Sequence, residues 1–342
     1  MSQRFLTSTS GLTIVIAVAL LAPVPVAGQA PATSTALPRA ADGKPDLQGV
    51  WDFRTITPME RPAALGTKAF FTDEEAVKFE KDENQRQDRD KIDPEVGGLM
   101  YPPGGVVTYN EFWYDRGNKI VGTKRTSLIV DPPNGRLPAL TAEGKKRAEA
   151  REAEQRETQL GRPHADSWED RPLQERCIVG LNAGPPMTPG AYNNNFQMFQ
   201  TPQYVVILNE MVHDARIVPL DGRPHGNIRQ WQGDSRGHWE GDTLVVDTTN
   251  FKRETSLPNS SATTHLIERF TRTDVNTLLY EFTVEDPTVW TRPWTAVVPM
   301  RKSDDPIYEY ACHEANYAIA GILAGARAAD KAAEEVAKKG AK

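Results

Sequence analysis

The sequence predicts a mainly β fold: an antiparallel meander, closed as a barrel or stacked as a sandwich, with peripheral helices and a C-terminal helix. Three observations predict it. From Gln197 onward, short runs with apolar residues at alternate positions recur at hairpin spacing, over 204–209, 216–220, 236–247, 265–273, 277–285, 294–300 and 307–311. Turn signals separate several of them: Asp221-Gly222, Gly241-Asp242 and Asp274-Val275-Asn276. No long helical pattern alternates with these runs, so the rhythm of a parallel βαβ sheet is absent.

Taken in order, residues 1–30 read as a secretory signal peptide. Arg4 supplies the basic start, Leu12 to Leu21 the uncharged apolar run, and Val26-Ala27-Gly28 the small residues of a cleavage site. The apolar run is too short to span a bilayer, and Pro23 and Pro25 break it. Residues 31–44 read as a flexible spacer, rich at first in Pro and small residues. Residues 45–342 read as one β-rich domain. Asp46 to Phe53 is its first strand. Thr72 caps a helix near 72–92 whose first turn is acidic, Asp73-Glu74-Glu75. The runs 107–114 and 119–130 read as β-like around the turn Asp115-Arg116-Gly117-Asn118. Thr141 caps a second, surface helix over 141–159, and an alanine-rich helix closes the chain over 313–339.

The densest stretch is Arg236 to Asp247, RGHWEGDTLVVD. A two-residue loop at Gly241-Asp242 sets Glu240 opposite Thr243, His238 opposite Val245 and Arg236 opposite Asp247. Side chains alternate along a strand, so Arg236, His238, Glu240 and Asp247 share one face, while Trp239, Leu244 and Val246 share the other. The same logic sets Arg269 opposite Glu281 and His265 opposite Glu285.

Four motifs in one order, PDLQGVW (45–51), IVDPPNGR (129–136), DGRPH (221–225) and GHWEGDTLVVD (237–247), resemble a large, functionally uncharacterised family of exported bacterial proteins. The likeness runs from about Pro45 to Arg327. It implies a lipocalin- or calycin-like β-barrel, and it carries over no catalytic residue.

Composition narrows the partners. The formal net charge is −6, or −7 once Arg4 leaves with the leader (−6 − 1). A mildly acidic chain has no electrostatic reason to hold nucleic acid. No later segment is apolar enough to cross a membrane, which places the mature chain in the periplasm or outside the cell. There are two cysteines, Cys177 and Cys312, 135 residues apart (312 − 177). In an oxidising compartment they are expected to pair, closing a loop worth roughly 5 kcal/mol at most in the chain-entropy model.

Candidate site residues fall in four groups. His238 and Glu240, two apart on the polar hairpin face beside Arg236, can share a proton or a metal. The solvent face of an ordinary hairpin accounts for them equally well. His313 and Glu314 follow Cys312 where the last strand gives way to a helix, and a Cys177–Cys312 bridge would bring Arg176 toward His313. The amide-rich loop 181–200 offers Tyr192 and Asn194 for uncharged hydrogen bonding. Arg223 and His225 flank Pro224 after the Asp221-Gly222 turn. Trp231, Trp239, Trp290 and Trp294 read as cavity lining or as core.

No nucleophile elbow, P-loop, dinucleotide fingerprint or HExxH pair is present. Three functions stay open. One is an exported lyase, isomerase or hydrolase that works on a small organic molecule in a barrel cavity by acid–base or metal-assisted chemistry. In it His238 is the acid–base, Glu240 its orienter or a metal ligand, and His313 a second base or ligand. The others are a non-catalytic periplasmic ligand-binding protein and a structural envelope protein. Cofactor, metal and oligomeric state are not assigned.

Overall fold

A computed structural model describes residues 37–93, 95–96, 110–159, 165–180, 182–252 and 260–340. The leader, the first part of the spacer and residues 107–109 of the 107–114 run lie outside the described residues. Strict alternation between apolar and polar positions shapes most of the sheet. Phe270, Tyr280, Phe282, Trp294 and Val298 all point to one side of their strands and are buried, while their neighbours are half-exposed.

The strands are β1 (Gly49–Asp52), β2 (Ile129–Asp131), β3 (Asn195–Gln200), β4 (Tyr204–Asn209), β5 (Ala215–Pro219), β6 (Asp234–Glu240), β7 (Thr243–Thr249), β8 (His265–Arg272), β9 (Thr277–Glu285) and β10 (Trp294–Ser303). They form one antiparallel sheet in the order β5-β4-β3-β1-β10-β9-β8-β7-β6, with β2 also on β10. The expected facing residues are met: Arg236 opposite Asp247, His238 opposite Val245, Arg269 opposite Glu281 and His265 opposite Glu285. The long strand β10 has β9 along one side; on the other, β2 ends at Thr295/Ala296 and β1 begins at Arg301. Pro299 falls in that gap, where a missing N–H costs no ladder bond.

The expected barrel closure is not made. The edge strands β5 and β6 approach each other without a hydrogen-bonded ladder. Their meeting is made of side chains: a Cβ on Gly237 of β6 would lie 2.6 Å from Leu220 and 2.8 Å from Val218. Pro219 at the end of β5 lacks the N–H that pairing would use.

The concave side of the sheet is filled. Trp51, Phe196, Ile207, Val218, Leu244, Phe270 and Trp294 belong to one core cluster spanning both ends of the strand order. Across it runs a buried polar bridge. Arg216 of β5 pairs bidentately with Glu268 of β8, with Nη2 2.9 Å from Oε1. Tyr280 Oη donates to the same Oε1 at 2.8 Å and accepts the Met187 N–H at 3.1 Å. Where the sequence reading placed a ligand cavity, the structure has this packed core. Trp290 and Trp294 belong to it, their rings edge to face at 6.3 Å.

Three helices lie outside the sheet: α1 (Asp73–Gln87), α2 (Ala142–Gln159) and α3 (Ala318–Gly340). α1 has the cap expected at Thr72, and the structure makes it a full capping box with Glu75 returning the bond. The C-terminal helix begins at Ala318, five residues later than expected. Three runs read as β are not strands. The described part of 107–114 holds a 3-10 turn, Glu111–Trp113. Residues 119–128 are irregular, turning at 122–123, with Lys124 at φ 57° and its N–H bonded back to Val121 O. Residues 307–311 make no ladder; the Tyr308 N–H goes instead to the Glu210 carboxylate. The later half of the spacer is tied down, since Arg39 grips Asp242 at the hairpin tip at 2.8 and 2.9 Å.

Candidate functional site

The convex face of β6–β9 carries the titratable groups, because strand alternation turns Asp247, His265, Arg269, Glu281 and Glu285 outward while Val246, Leu266 and Phe270 turn inward. The loop after β5 folds back over this face. Arg236 Nε donates to Pro224 O at 3.0 Å, the Gly226 N–H donates to Asp234 Oδ2 at 2.6 Å, and Asn250 Nδ2 donates to Gly226 O at 2.8 Å. Those three bonds set His225 against the sheet.

The result is a chain of alternating imidazoles and carboxylates. His225 Nε2 lies 2.8 Å from Asp247 Oδ1, and His265 Nε2 lies 2.7 Å from Asp247 Oδ2. The other His265 nitrogen, Nδ1, lies 3.0 Å from Glu285 Oε2. With a carboxylate at each ring nitrogen, His265 is held as imidazolium. The hydrogen bond to Asp247, helped by Glu285 and opposed by burial, raises its pKa to about 9. Burial pushes Asp247 upward, but the bonds from His265 and His225 outweigh it and hold the carboxylate below its ordinary range. Asp234 closes the other end, 3.6 Å from His225 Nδ1 and 2.5 Å from Arg236.

His238 and Glu240 form a separate pair further along the same face. They lie 3.2 Å apart and are 57% and 50% exposed. Glu240 also meets Arg269 at 2.9 Å, and Arg269, with His238 second, holds the Glu240 carboxylate below its usual range. His313 and Glu314 are exposed. They precede α3 instead of sitting in its first turn. The expected bridge is present: Cys177 and Cys312 are disulfide-bonded, with Cα atoms 5.7 Å apart. Arg176 beside it stacks on Trp168 at 4.6 Å. Arg223 folds onto Asp221 and reaches Tyr204 Oη at 3.4 Å. Among the described residues, no group of three or more His, Cys, Asp or Glu side chains is arranged to hold a metal ion.

A cleft of about 710 Å³ lies on the other side of β1, between α1 and the segments 55–62, 114–116 and 189–191. Ile56, Pro58, Met59, Phe79 and Leu128 give it an apolar wall; Glu83, Arg86, Arg89, Tyr114 and Arg116 give it a polar edge. The edge is preassembled. Arg86 Nε is 2.8 Å from Glu83, Arg116 is bound by Glu111 and by Gln87 O, and the Arg89 guanidinium lies 4.2 Å over the Tyr114 ring.

Two sequence candidates build this cleft from behind. Asn194, fully buried, accepts the Gly190 N–H at 2.7 Å and donates to Gly190 O and to Asp115 O at 3.0 and 2.9 Å. It thereby ties together the loops that carry the lining residues Gly190, Ala191, Tyr114 and Arg116. Tyr192 meets Tyr114 edge to face at 6.5 Å and stacks on Tyr310 at 6.3 Å.

Two features here depend on contacts that the sequence alone does not show. His265 and Glu285 were legible as a cross-strand pair, but their junction with His225 depends on the return of a loop. The cleft edge on α1 lies in the charge-rich stretch 81–95, which in sequence reads as solvated. Searches against family models, curated proteins and solved structures found no match to this chain.

Proposed function

We propose that this is an exported small-molecule-binding protein that takes an organic ligand into the cleft between α1 and the 55–62 and 189–191 segments. The cleft itself carries the reading. Its volume of about 710 Å³ falls within the range of small-molecule sites, about 300–1,000 Å³, and it has the usual apolar wall with a few placed polar groups. Arg86 and Arg116 are paired with Glu83 and Glu111 and the Arg89 guanidinium lies over the Tyr114 ring, so the edge offers hydrogen bonds, an aromatic face and one cation. That favours a largely apolar, ring-containing molecule with polar groups at one end. The Cys177–Cys312 disulfide supports an oxidising compartment, in keeping with the leader. A thermal-shift screen of phenolics, terpenoids and sugars, repeated on Ala191→Trp to fill the cleft mouth, tests the reading.

One observation favours a second reading, acid–base catalysis of the lyase, isomerase or hydrolase kind. Asp247 joins two imidazoles on an accessible face, and His265 is a proton donor at neutral pH. In that reading His225 touches the substrate and Asp247 orients it. Loss of turnover in His225→Gln, with the fold intact, separates this reading from simple binding.

A further inference from the structure

We propose that Arg61 and Arg125 form the cationic half of an oxyanion site, completed by a phosphate or carboxylate group. Arg61 is 1% exposed, and the partners it has are neutral. Its Nε donates to Thr126 Oγ1 at 2.9 Å and its Nη2 to Pro133 O at 3.3 Å. Its Nη1 is buried with no acceptor among the described residues. A guanidinium cannot shed its charge by titrating, so a buried one without a carboxylate is costly until an anion joins it.

The second arginine repeats the deficit. Arg125 lies with its guanidinium 5.2 Å over the Phe70 ring, and its Nε is also buried without an acceptor. Burial, and then the charge of Arg61 nearby, lower the pKa of Arg125. Thr126, whose Oγ1 accepts from Arg61 Nε, follows Arg125 in the chain and joins the two arginines to one neighbourhood, and no carboxylate among the described residues pairs with either. Glu60 beside Arg61 is engaged elsewhere, accepting the Leu137 N–H at 3.0 Å.

The place is built for this arginine, and the IVDPPNGR stretch builds it. Arg61 N donates to Gly135 O at 2.7 Å, and Arg136 Nε donates to Arg61 O at 3.2 Å. Gly135 has φ +70°, and a Cβ there would lie 2.9 Å from Arg61 Nη2 and 2.4 Å from Ser127 Oγ. Only glycine leaves room for the guanidinium. Arg125 is half-buried and gives the site its side toward solvent. An oxyanion there accepts from Arg61 Nη1 and Arg125 Nε in charge-assisted bonds. Neither arginine lines the cleft, so this site stands or falls apart from the ligand reading.

The test uses the purified protein and follows its thermal unfolding by tryptophan fluorescence. The probes are sodium phosphate and sodium acetate, with sodium chloride at equal ionic strength as control. At least one oxyanion is expected to raise Tm saturably, by roughly 3–6 °C far above its dissociation constant. Arg125→Gln is expected to abolish that rise. Because it also removes a like-charge neighbour, its Tm in chloride alone should equal or exceed that of the parent. A larger response to phosphate assigns a phosphate-bearing ligand; a larger response to acetate assigns a carboxylate. No rise with either oxyanion, a rise matched by chloride, or a rise undiminished in Arg125→Gln overturns the proposal.

Discussion

Asp247 and His265 lie diagonally across β7 and β8, with Oδ2 2.7 Å from Nε2. Glu285 meets the other nitrogen of the same ring. A pKa of about 9 in the folded chain, against about 6.5 unfolded, means that the native state binds the extra proton between those values. Stability from this pair is complete below pH 6.5 and is lost as pH rises through 9. The groups are about a third exposed, so after solvent screening the loss is about 1–2 kcal/mol, roughly 2–6 °C in Tm. Thermal melts from pH 6 to 10 should show that fall in the parent and a flatter profile in His265→Gln. Identical profiles would contradict the ion-paired imidazolium.

Asp214 has the opposite environment. Its Oδ2 is buried without a partner, and burial raises its pKa to about 6, against a lesser pull from Gln232. Here too the folded chain binds the extra proton, now between about pH 4 and 6. Stability is therefore expected to fall as pH rises across that window. Asp214→Asn should remove the fall and raise Tm at pH 7. A Tm lower than the parent's at pH 7 would show that the charged carboxylate is stabilising.

The Arg216–Glu268–Tyr280 bridge predicts asymmetric mutational effects. Glu268→Ala leaves a fully buried guanidinium and the Tyr280 hydroxyl without their acceptor. The cost is about 3–5 kcal/mol, and chemical denaturation should show it as a lower midpoint. Replacing both partners, Arg216→Met with Glu268→Leu, removes the stranded charge and should recover most of the loss. A double variant as unstable as Glu268→Ala would assign the bridge a role beyond compensating its own burial.

Much of the sheet was legible because a strand's register is local information. The Gly241-Asp242 turn sets the partners of Arg236, His238 and Glu240, and a three-residue loop sets His265 opposite Glu285. The cysteine pair was legible from number and compartment alone. What escaped depends on distant segments meeting. His225 reaches Asp247 only because Arg236, Asp234 and Asn250 hold the returning loop. The edges β5 and β6 meet through Val218 and Leu220 seated on Gly237, which alternation cannot report. The cleft edge on α1 reads in sequence as solvated charge because its partners, Tyr114 and Glu111, arrive from another part of the chain.

Filling the mouth of that cleft with Ala191→Trp decides whether a ligand enters it. Ala191 is an exposed residue of the cleft lining, so an indole there fills the mouth without disturbing the core. Titration with N-phenyl-1-naphthylamine, a neutral fluorophore with an apolar ring system, should give saturable binding, alongside thermal shifts from the phenolic, terpenoid and sugar panel. A dissociation constant near 10 µM corresponds to about −7 kcal/mol. Ala191→Trp, with an unchanged ligand-free Tm, should weaken binding of every responding compound at least about tenfold. Compounds that bind the parent and the variant equally, or a panel in which nothing binds the parent, would contradict it.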